Sequence, residues 1–125
     1  MINQTEAVTV DLVRLALDAA SMRQQAIANN IANANTPGYM PARVSFESQL
    51  DAVRRTLRDN GRLSADMLSG LRPVVEREQA AGSQGVAIDM EAVKMSENAT
   101  HYQALLKALN KHFSIMGTAV NNGKR

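Results

Sequence analysis

Apolar and small residues recur with helical spacing close to the N-terminus. Between Val8 and Ala26 they alternate at intervals of four and three residues, and Asn29 and Asn33 continue the same register. This is the heptad spacing of a helix that packs along one stripe. The pattern predicts a first helix over about residues 9–33, and a second apolar stripe beside the first suits contact with more than one neighbouring helix.

The C-terminal third carries the longest periodic pattern. Ten successive positions from Ile88 to Val120 keep the same 4-3 spacing, and an Asn-Asn-Gly stop follows them. Asp89 is a candidate N-cap, and Glu91 suits the positive end of the helix dipole. The predicted helix is roughly 50 Å long, against about 37 Å for the first.

Between these two helices the periodic pattern weakens. Apolar residues at 46, 50, 53 and 57 predict a short amphipathic helix that ends at Asn60-Gly61. Val74-Val75 follows a proline and predicts a brief strand, whereas Ala80-Ala81-Gly82-Ser83-Gln84-Gly85 is typical of a flexible linker. We therefore expect residues 40–86 to be weakly ordered.

The predicted fold is all-α: an elongated, antiparallel, coiled-coil-like pair of long N- and C-terminal helices with a partly disordered middle segment. One structural unit has three parts: residues 1–39 with the first helix and a turn, the middle at 40–86, and the heptad helix at 87–125. A two-helix hairpin covers one stripe per helix, so the second stripes are free for contacts with other subunits. The main 4-3 stripes themselves are also predicted to pack between subunits, and the residues of this assembly seam are Leu12, Leu15, Met22, Met95, Tyr102, Leu106, Leu109, Phe113 and Met116.

An Asn-rich stretch closes the first helix. Asn side chains compete for nearby backbone groups and favour caps and turns. Pro37 disfavours a helical Thr36, and Gly38 can take a positive φ, so the helix is expected to end near Asn35 or Thr36. The Asn side chains can then bond backbone groups of the turn or of a neighbouring chain. The candidate site consists of Asn29, Asn30, Asn33, Asn35, Thr36, Pro37, Gly38 and Tyr39.

Composition and motifs argue against catalysis. The chain has two Phe, two Tyr and no Trp, so it lacks the aromatic bulk of a compact enzyme core, and it has no cysteine for thiol chemistry. No phosphate loop or nucleophile elbow occurs. His101 and His112 would lie about 16 Å apart along one helix and cannot share a metal. No enzyme activity, cofactor or metal is predicted.

Charge and targeting signals are also weak. A net charge of +2 is little support for nucleic-acid binding. Arg54, Arg55, Arg58 and Arg62 form a basic cluster that is either a solvated helix face or a contact with an acidic neighbouring subunit. The N-terminus lacks the pattern of a cleavable signal peptide, and no apolar run reaches the length of a membrane span.

Several strings resemble one family closely. Residues 30–39, NIANANTPGY, resemble the N-terminal motif of the flagellar rod, hook and hook-associated proteins, the axial proteins of bacteria. The C-terminal helix agrees in residues 89–99, in YQALL from Tyr102, and in Phe113-Ser114-Ile115. The short length and the stretch from Tyr102 to Ile115 resemble the proximal rod protein more than FlgC, the other short rod protein, although the motif string itself separates the two less well.

The resemblance implies a structural subunit of the proximal rod in the basal body, which crosses the periplasm. Such subunits are exported by the flagellar type III system without a cleaved signal and polymerise through their terminal helices. Implied partners are further copies of itself and rod subunits of the FlgC and FliE types, with the MS ring and export gate nearby, and neither nucleic acid nor a small-molecule substrate.

The alternative from the residues alone is a cytoplasmic coiled-coil adaptor or secretion chaperone. Such a protein would share the heptads but would not need the Asn-rich turn. A third alternative, a periplasmic enzyme acting on peptidoglycan, would need a carboxylate or metal constellation that the sequence does not contain.

Overall fold

The computed structural model describes residues 4–79 and 85–124. Two long helices lie at the ends of the chain, and short elements lie between them. In chain order the elements are α1 (Gln4–Ala32), β1 (Ala42–Ser45), α2 (Glu47–Asn60), α3 (Ala65–Leu68), β2 (Val74–Arg77) and α4 (Ile88–Asn122). The predicted all-α fold with two long terminal helices is confirmed, and α1 begins five residues earlier than the pattern indicated.

Helices α1 and α4 pack against each other in antiparallel directions. The Asn98 side chain donates to the backbone carbonyl of Ala20 and to Gln24, at 2.8 Å in each case. Glu91, seven residues earlier on α4, pairs with Asn30, which lies later on α1. Residue numbers thus fall along one helix as they rise along the other.

The side of α4 that faces α1 is more polar than expected. Glu91 and Asn98 are its buried positions, and they are seven residues apart. The half-buried positions that continue their spacing are Met95, Leu105, Leu109, His112 and Met116. The apolar stripe made by Ile88, Leu106, Phe113 and Val120 lies beside this face and stays exposed. Of the predicted seam residues, Met95, Leu109 and Met116 therefore lie toward α1, and Leu106 and Phe113 do not.

The start of α4 also differs from expectation. Ala87 occupies the N-cap position, without a side-chain cap. Asp89 lies inside the first turn, where its carboxylate accepts a hydrogen bond from the Met90 N–H at 3.0 Å. The predicted Asp89 cap is thus wrong, although a carboxylate in the first turn still complements the helix dipole.

The middle segment has more regular structure than expected. Strands β1 and β2 pair antiparallel, with Ala42 opposite Arg77 and Ser45 opposite Val74. The predicted helix end at Asn60-Gly61 and the predicted strand at Val74-Val75 are both confirmed. Gly61 ends α2 in the left-handed region, with φ +65°. Residues 80–84 of the predicted linker lie outside the described residues.

The middle segment folds back on α1, and this accounts for the two apolar stripes of that helix. Ala20 faces α4. Met22 packs instead on a cluster of Ala26, Ala42 and Val44, which joins α1 to β1. Leu15 lines a groove against α3. Two residues predicted for assembly, Leu15 and Met22, therefore contact their own chain. The sequence pattern did not predict this, because it does not show where the middle segment packs.

Candidate functional site

The Asn-rich stretch forms a compact turn at the end of α1. The α-helix ends at Ala32, about three residues earlier than predicted, and the backbone continues through tighter turns. The Thr36 N–H bonds the Asn33 carbonyl at 2.9 Å, and the Tyr39 N–H bonds the Thr36 carbonyl at 3.2 Å. Gly38 has φ +74°, so the predicted positive φ is confirmed. The turn reverses the chain and places Tyr39 and Ala42 beside the last turns of α1.

Asn30 is the centre of the site. It is completely buried, and its amide uses both donors and both acceptor positions. The nitrogen donates to the Ala42 carbonyl at 2.9 Å and to the Glu91 carboxylate at 3.1 Å. The oxygen accepts from the Ala42 N–H at 2.8 Å and from the Tyr39 hydroxyl at 3.0 Å. One side chain therefore joins the helix, the turn, the sheet and α4.

Glu91 is a buried carboxylate at the start of α4. It is 1% exposed and pairs with Arg43 at 2.6 Å and with Lys94 at 3.5 Å. Burial alone would raise the pKa of Glu91. Hydrogen bonds from Arg43 and Asn30, together with the charges of Arg43 and Lys94, outweigh burial and hold that pKa below its usual value. Glu91 was predicted only as a dipole partner, and it is instead an anchor in the core.

Arg43 connects the two chain segments that flank residues 80–84. Its guanidinium bonds Glu78, just after β2, at 3.0 Å and Glu91 near the start of α4 at 2.6 Å. Burial lowers the pKa of Arg43. The hydrogen bonds and charges of Glu91 and Glu78 raise that pKa by more than burial lowers it, so the net shift is upward. Arg43 stays charged at any physiological pH, and its ion pairs fix the end of the sheet against α4.

Side chains of α1 also close the outer edge of β1. The Asn30 side chain forms hydrogen bonds with both the N–H and the carbonyl of Ala42, as the backbone of a neighbouring strand would. Seven residues earlier on the same helix face, Arg23 donates to the Val44 carbonyl at 3.3 Å and pairs with Glu47. Because β2 pairs with the other edge of β1, side chains of α1 supply the partners of the Ala42 N–H and of the Ala42 and Val44 carbonyls. The small sheet is thereby fixed to the helix pair.

The remaining motif residues divide into two groups. Asn33 and Thr36 form hydrogen bonds within the turn. The Asn33 side-chain amide donates to the Asn29 carbonyl at 2.8 Å, and the Thr36 hydroxyl donates to the Asn33 side-chain oxygen at 3.2 Å. Asn35 and Pro37 are exposed at its tip, and the side chain of Asn29 is exposed on α1. Expectations for Asn side chains were thus met in part: Asn30 and Asn33 bind backbone groups of their own chain.

Tyr39 ends the motif and faces inward. Its hydroxyl bonds Asn30, and the Arg77 guanidinium lies 5.5 Å from the centre of its ring. Arg77 also donates to the Met40 carbonyl at 3.0 Å. Tyr39 therefore joins the turn to β2, at the strand position opposite Ala42.

The sequence pattern did not identify the long-range polar contacts formed by residues outside the Asn-rich stretch. Arg43, Glu91 and Asn98 carry charge or amides at positions that a hydrophobic pattern treats as surface. One signal was present: Glu91 and Asn98 are seven residues apart, which places both on one face of a helix. Polar residues at heptad spacing can form a buried stripe when the partner helix supplies Asn and Gln.

The site holds chain segments together through hydrogen bonds and ion pairs. Within residues 4–79 and 85–124, no group of His, Asp and Glu side chains is placed to hold a metal ion. No helix in that part of the chain has the length and apolar character needed to span a bilayer. The polar groups of Asn30 and Glu91 are engaged by the protein itself, which is the arrangement of a structural joint.

Comparison with known proteins agrees with this geometry. A family model described as flagella basal body rod protein matches residues 14–39, which cover most of α1 and the turn. The FlgB rod protein of Bacillus subtilis (strain 168) is 28% identical over 123 residues, covering 93% of this chain and 95% of that protein. The FlgB protein of Escherichia coli (strain K12) is 29% identical, covering 86% and 89%.

A third rod protein matches a shorter part of the chain at higher sequence identity. The FlgB rod protein of Borrelia hermsii is 46% identical over 43 residues, about a third of each chain. The predicted resemblance to the flagellar axial proteins is therefore confirmed, and the similarity is to rod proteins of the FlgB type.

Proposed function

Because this chain resembles flagellar basal-body rod proteins along most of its length, we propose that it is a structural subunit of the proximal rod. It leaves the cytoplasm through the flagellar type III system without a cleaved signal and polymerises through its terminal helices in the periplasm. Its neighbours are other copies of itself and subunits of the FlgC and FliE types, close to the MS ring and export gate.

The observation that carries this proposal is the exposed apolar stripe of α4. Phe113 is 45% exposed, Val120 is 59% exposed, and Ile88 and Leu106 extend the stripe toward the start of the helix. The neighbouring side of the same helix already packs on α1. An apolar stripe over the length of a helix is the surface that a neighbouring helix would bury.

The structure also suggests how assembly and folding can be tested separately. Leu109 lies toward α1 and is half-buried, whereas Phe113, one turn further on, belongs to the exposed stripe. A carboxylate at Leu109 would damage the helix pair within one subunit, at a cost of about 2 kcal/mol or more. The same change at Phe113 would leave the free subunit nearly unaffected and place a charge between subunits.

The experiment compares Phe113→Asp with Leu109→Asp in cells that carry each variant as the sole copy. We expect Phe113→Asp to keep the melting temperature of the purified chain, to allow secretion where the export gate tolerates an incomplete rod, and to abolish basal-body incorporation and swimming. Leu109→Asp should lower the melting temperature and also abolish swimming. Normal swimming by Phe113→Asp cells would contradict the role of the stripe.

Fractionation separates this proposal from a cytoplasmic adaptor or secretion chaperone. A rod subunit is recovered with intact basal bodies and with the periplasmic fraction, at the membrane-proximal end of the rod. Recovery in the cytosol alone, in cells with complete flagella, would support the adaptor instead.

A further inference from the structure

Helix α2 has a charged face that forms few contacts with the rest of the described chain. Arg54, Arg55 and Arg58 on α2 and Arg62 just after it form this basic face, and all four are exposed. Arg54 lies 3.6 Å from Asp51, an exposed pair of little energetic weight. Among the described residues, no ion pair joins Arg55, Arg58 or Arg62 to a carboxylate.

The basic face is directed away from the body of the protein. Val53 is the buried residue of α2, and Arg55 and Arg58 lie on the opposite side of the helix. All four cations are arginines, whose planar guanidinium groups bind carboxylates through two parallel hydrogen bonds. Asp51 within the face and Asp59 at its border limit its net charge, and no aromatic side chain of the described region stacks beside it. A protein carboxylate suits this surface better than a nucleic acid does.

A complementary surface lies on α1. Asp11 and Asp18 are exposed and seven residues apart, so they share one face of the helix along the groove between α1 and α3. Within the described part of the chain neither carboxylate forms an ion pair, whereas Glu47, Glu78 and Glu91 all do. Arg14 lies between the two aspartates, and its charge has a counterpart in Asp51 on the basic face.

We propose that the basic face of one subunit contacts the Asp11–Asp18 face of a second copy of this chain. The two surfaces differ, so the contact is head-to-tail: each subunit keeps one free surface of each kind, and the contact can repeat. This is the symmetry that a helical stack requires. The inference rests on the proposed rod function and adds a second, electrostatic contact to the apolar stripe of α4.

Reciprocal charge reversal tests the contact. One variant is Arg55→Glu/Arg62→Glu, the second is Asp11→Arg/Asp18→Arg, and the third combines all four changes. Each double variant should reduce the chain in purified basal bodies at least roughly tenfold and slow swimming, since like charges then face each other. The combined variant should restore both. Arg55→Lys/Arg62→Lys, which keeps the charge, should reduce incorporation much less.

The outcomes separate this inference from the rod function itself. Loss in both double variants without rescue in the combined variant would overturn the pairing of two copies and indicate a different acidic neighbour. Unchanged incorporation in both double variants would mean that the basic face is solvated, and it would also overturn the inference. In either case the result for Phe113→Asp still decides whether the chain assembles through α4. Circular dichroism of each purified variant checks that the fold is retained.

Discussion

The two ends of the helix pair differ in which side chains they bury and which they expose. At the motif end, Asn30 and Glu91 are buried, and hydrogen bonds or ion pairs engage both side chains. At the far end, Phe113 and Val120 are apolar and exposed. Polar groups are therefore inside at one end, and apolar groups are outside at the other. The polar joint at the motif end has its partners within one subunit, whereas the far end has apolar surface that a neighbour can bury.

This difference matters because the two kinds of surface have different requirements. A buried amide or carboxylate is tolerated only when its partners are in place, so it fixes one arrangement of the segments that meet there. An exposed apolar stripe imposes no arrangement on the free subunit and gains free energy on contact with another helix. The fixed geometry of a joint and the adaptability of an assembly surface can thus coexist in one small chain.

The largest expected effect is at Asn30. Asn30→Ala removes four hydrogen bonds, and the Ala42 N–H and the Tyr39 hydroxyl lose the acceptor that the Asn30 oxygen supplies. Unsatisfied buried groups cost about 1–3 kcal/mol each, so we expect a loss of about 3 kcal/mol or more in the free energy of unfolding. Urea denaturation of the purified chain measures it.

Asn29→Ala is the matched control. It changes the neighbouring residue in the same helix to the same amino acid, but the Asn29 side chain is exposed. We expect a change within about 0.5 kcal/mol. Equal losses for the two variants would mean that Asn30 is not the centre of the joint.

A smaller effect is expected at Gly38. Its φ of +74° is strained for a residue with a β-carbon, although a β-carbon built there would meet no atom within 4 Å. Gly38→Val should therefore cost about 1–2 kcal/mol through the backbone alone. Gly38→Asn should cost less, because Asn tolerates the left-handed region. Thermal melts of the two variants measure the difference, and equal melting temperatures would contradict the assignment.

The smallest effect near neutral pH concerns the ionisation of Glu91. Its pKa is held below the usual value in the folded chain, so its contribution to stability is fully present above the unfolded pKa of about 4.3. That contribution is lost as the pH falls through the lower, folded-state pKa. Melts between pH 7 and pH 3 should show wild type losing more stability than Glu91→Gln over the acid range. Parallel curves would show that Glu91 is not ionised in the joint.

Much of the fold could be predicted from the sequence, because local rules decide it. The heptad spacing predicted both long helices. Gly38 and Gly61 indicated two turns, and both residues adopt a positive φ. The end of α1 was placed about three residues late, since the Asn residues continue with tight turns after the last helical residue. These features depend on neighbours in the sequence.

The partners within the joint could not be predicted in the same way. Asn30 binds Glu91 across 61 positions and Ala42 across 12. A hydrophobic pattern scores Glu91 and Arg43 as surface residues, and it cannot show that their charges compensate each other after folding. The same limit explains Leu15 and Met22, which were expected to face other subunits and are covered by the middle segment.

Amide hydrogen exchange, compared between the free chain and intact basal bodies, tests the central claim most directly. We predict that residues 26–32 of α1 and 91–98 of α4 are protected in both states, because the joint is complete within one subunit. We predict that residues 102–122 exchange faster than residues 91–98 in the free chain and become more strongly protected in basal bodies. Equal exchange of residues 102–122 in the two states would contradict the account, since the exposed stripe of α4 would then not be buried by assembly.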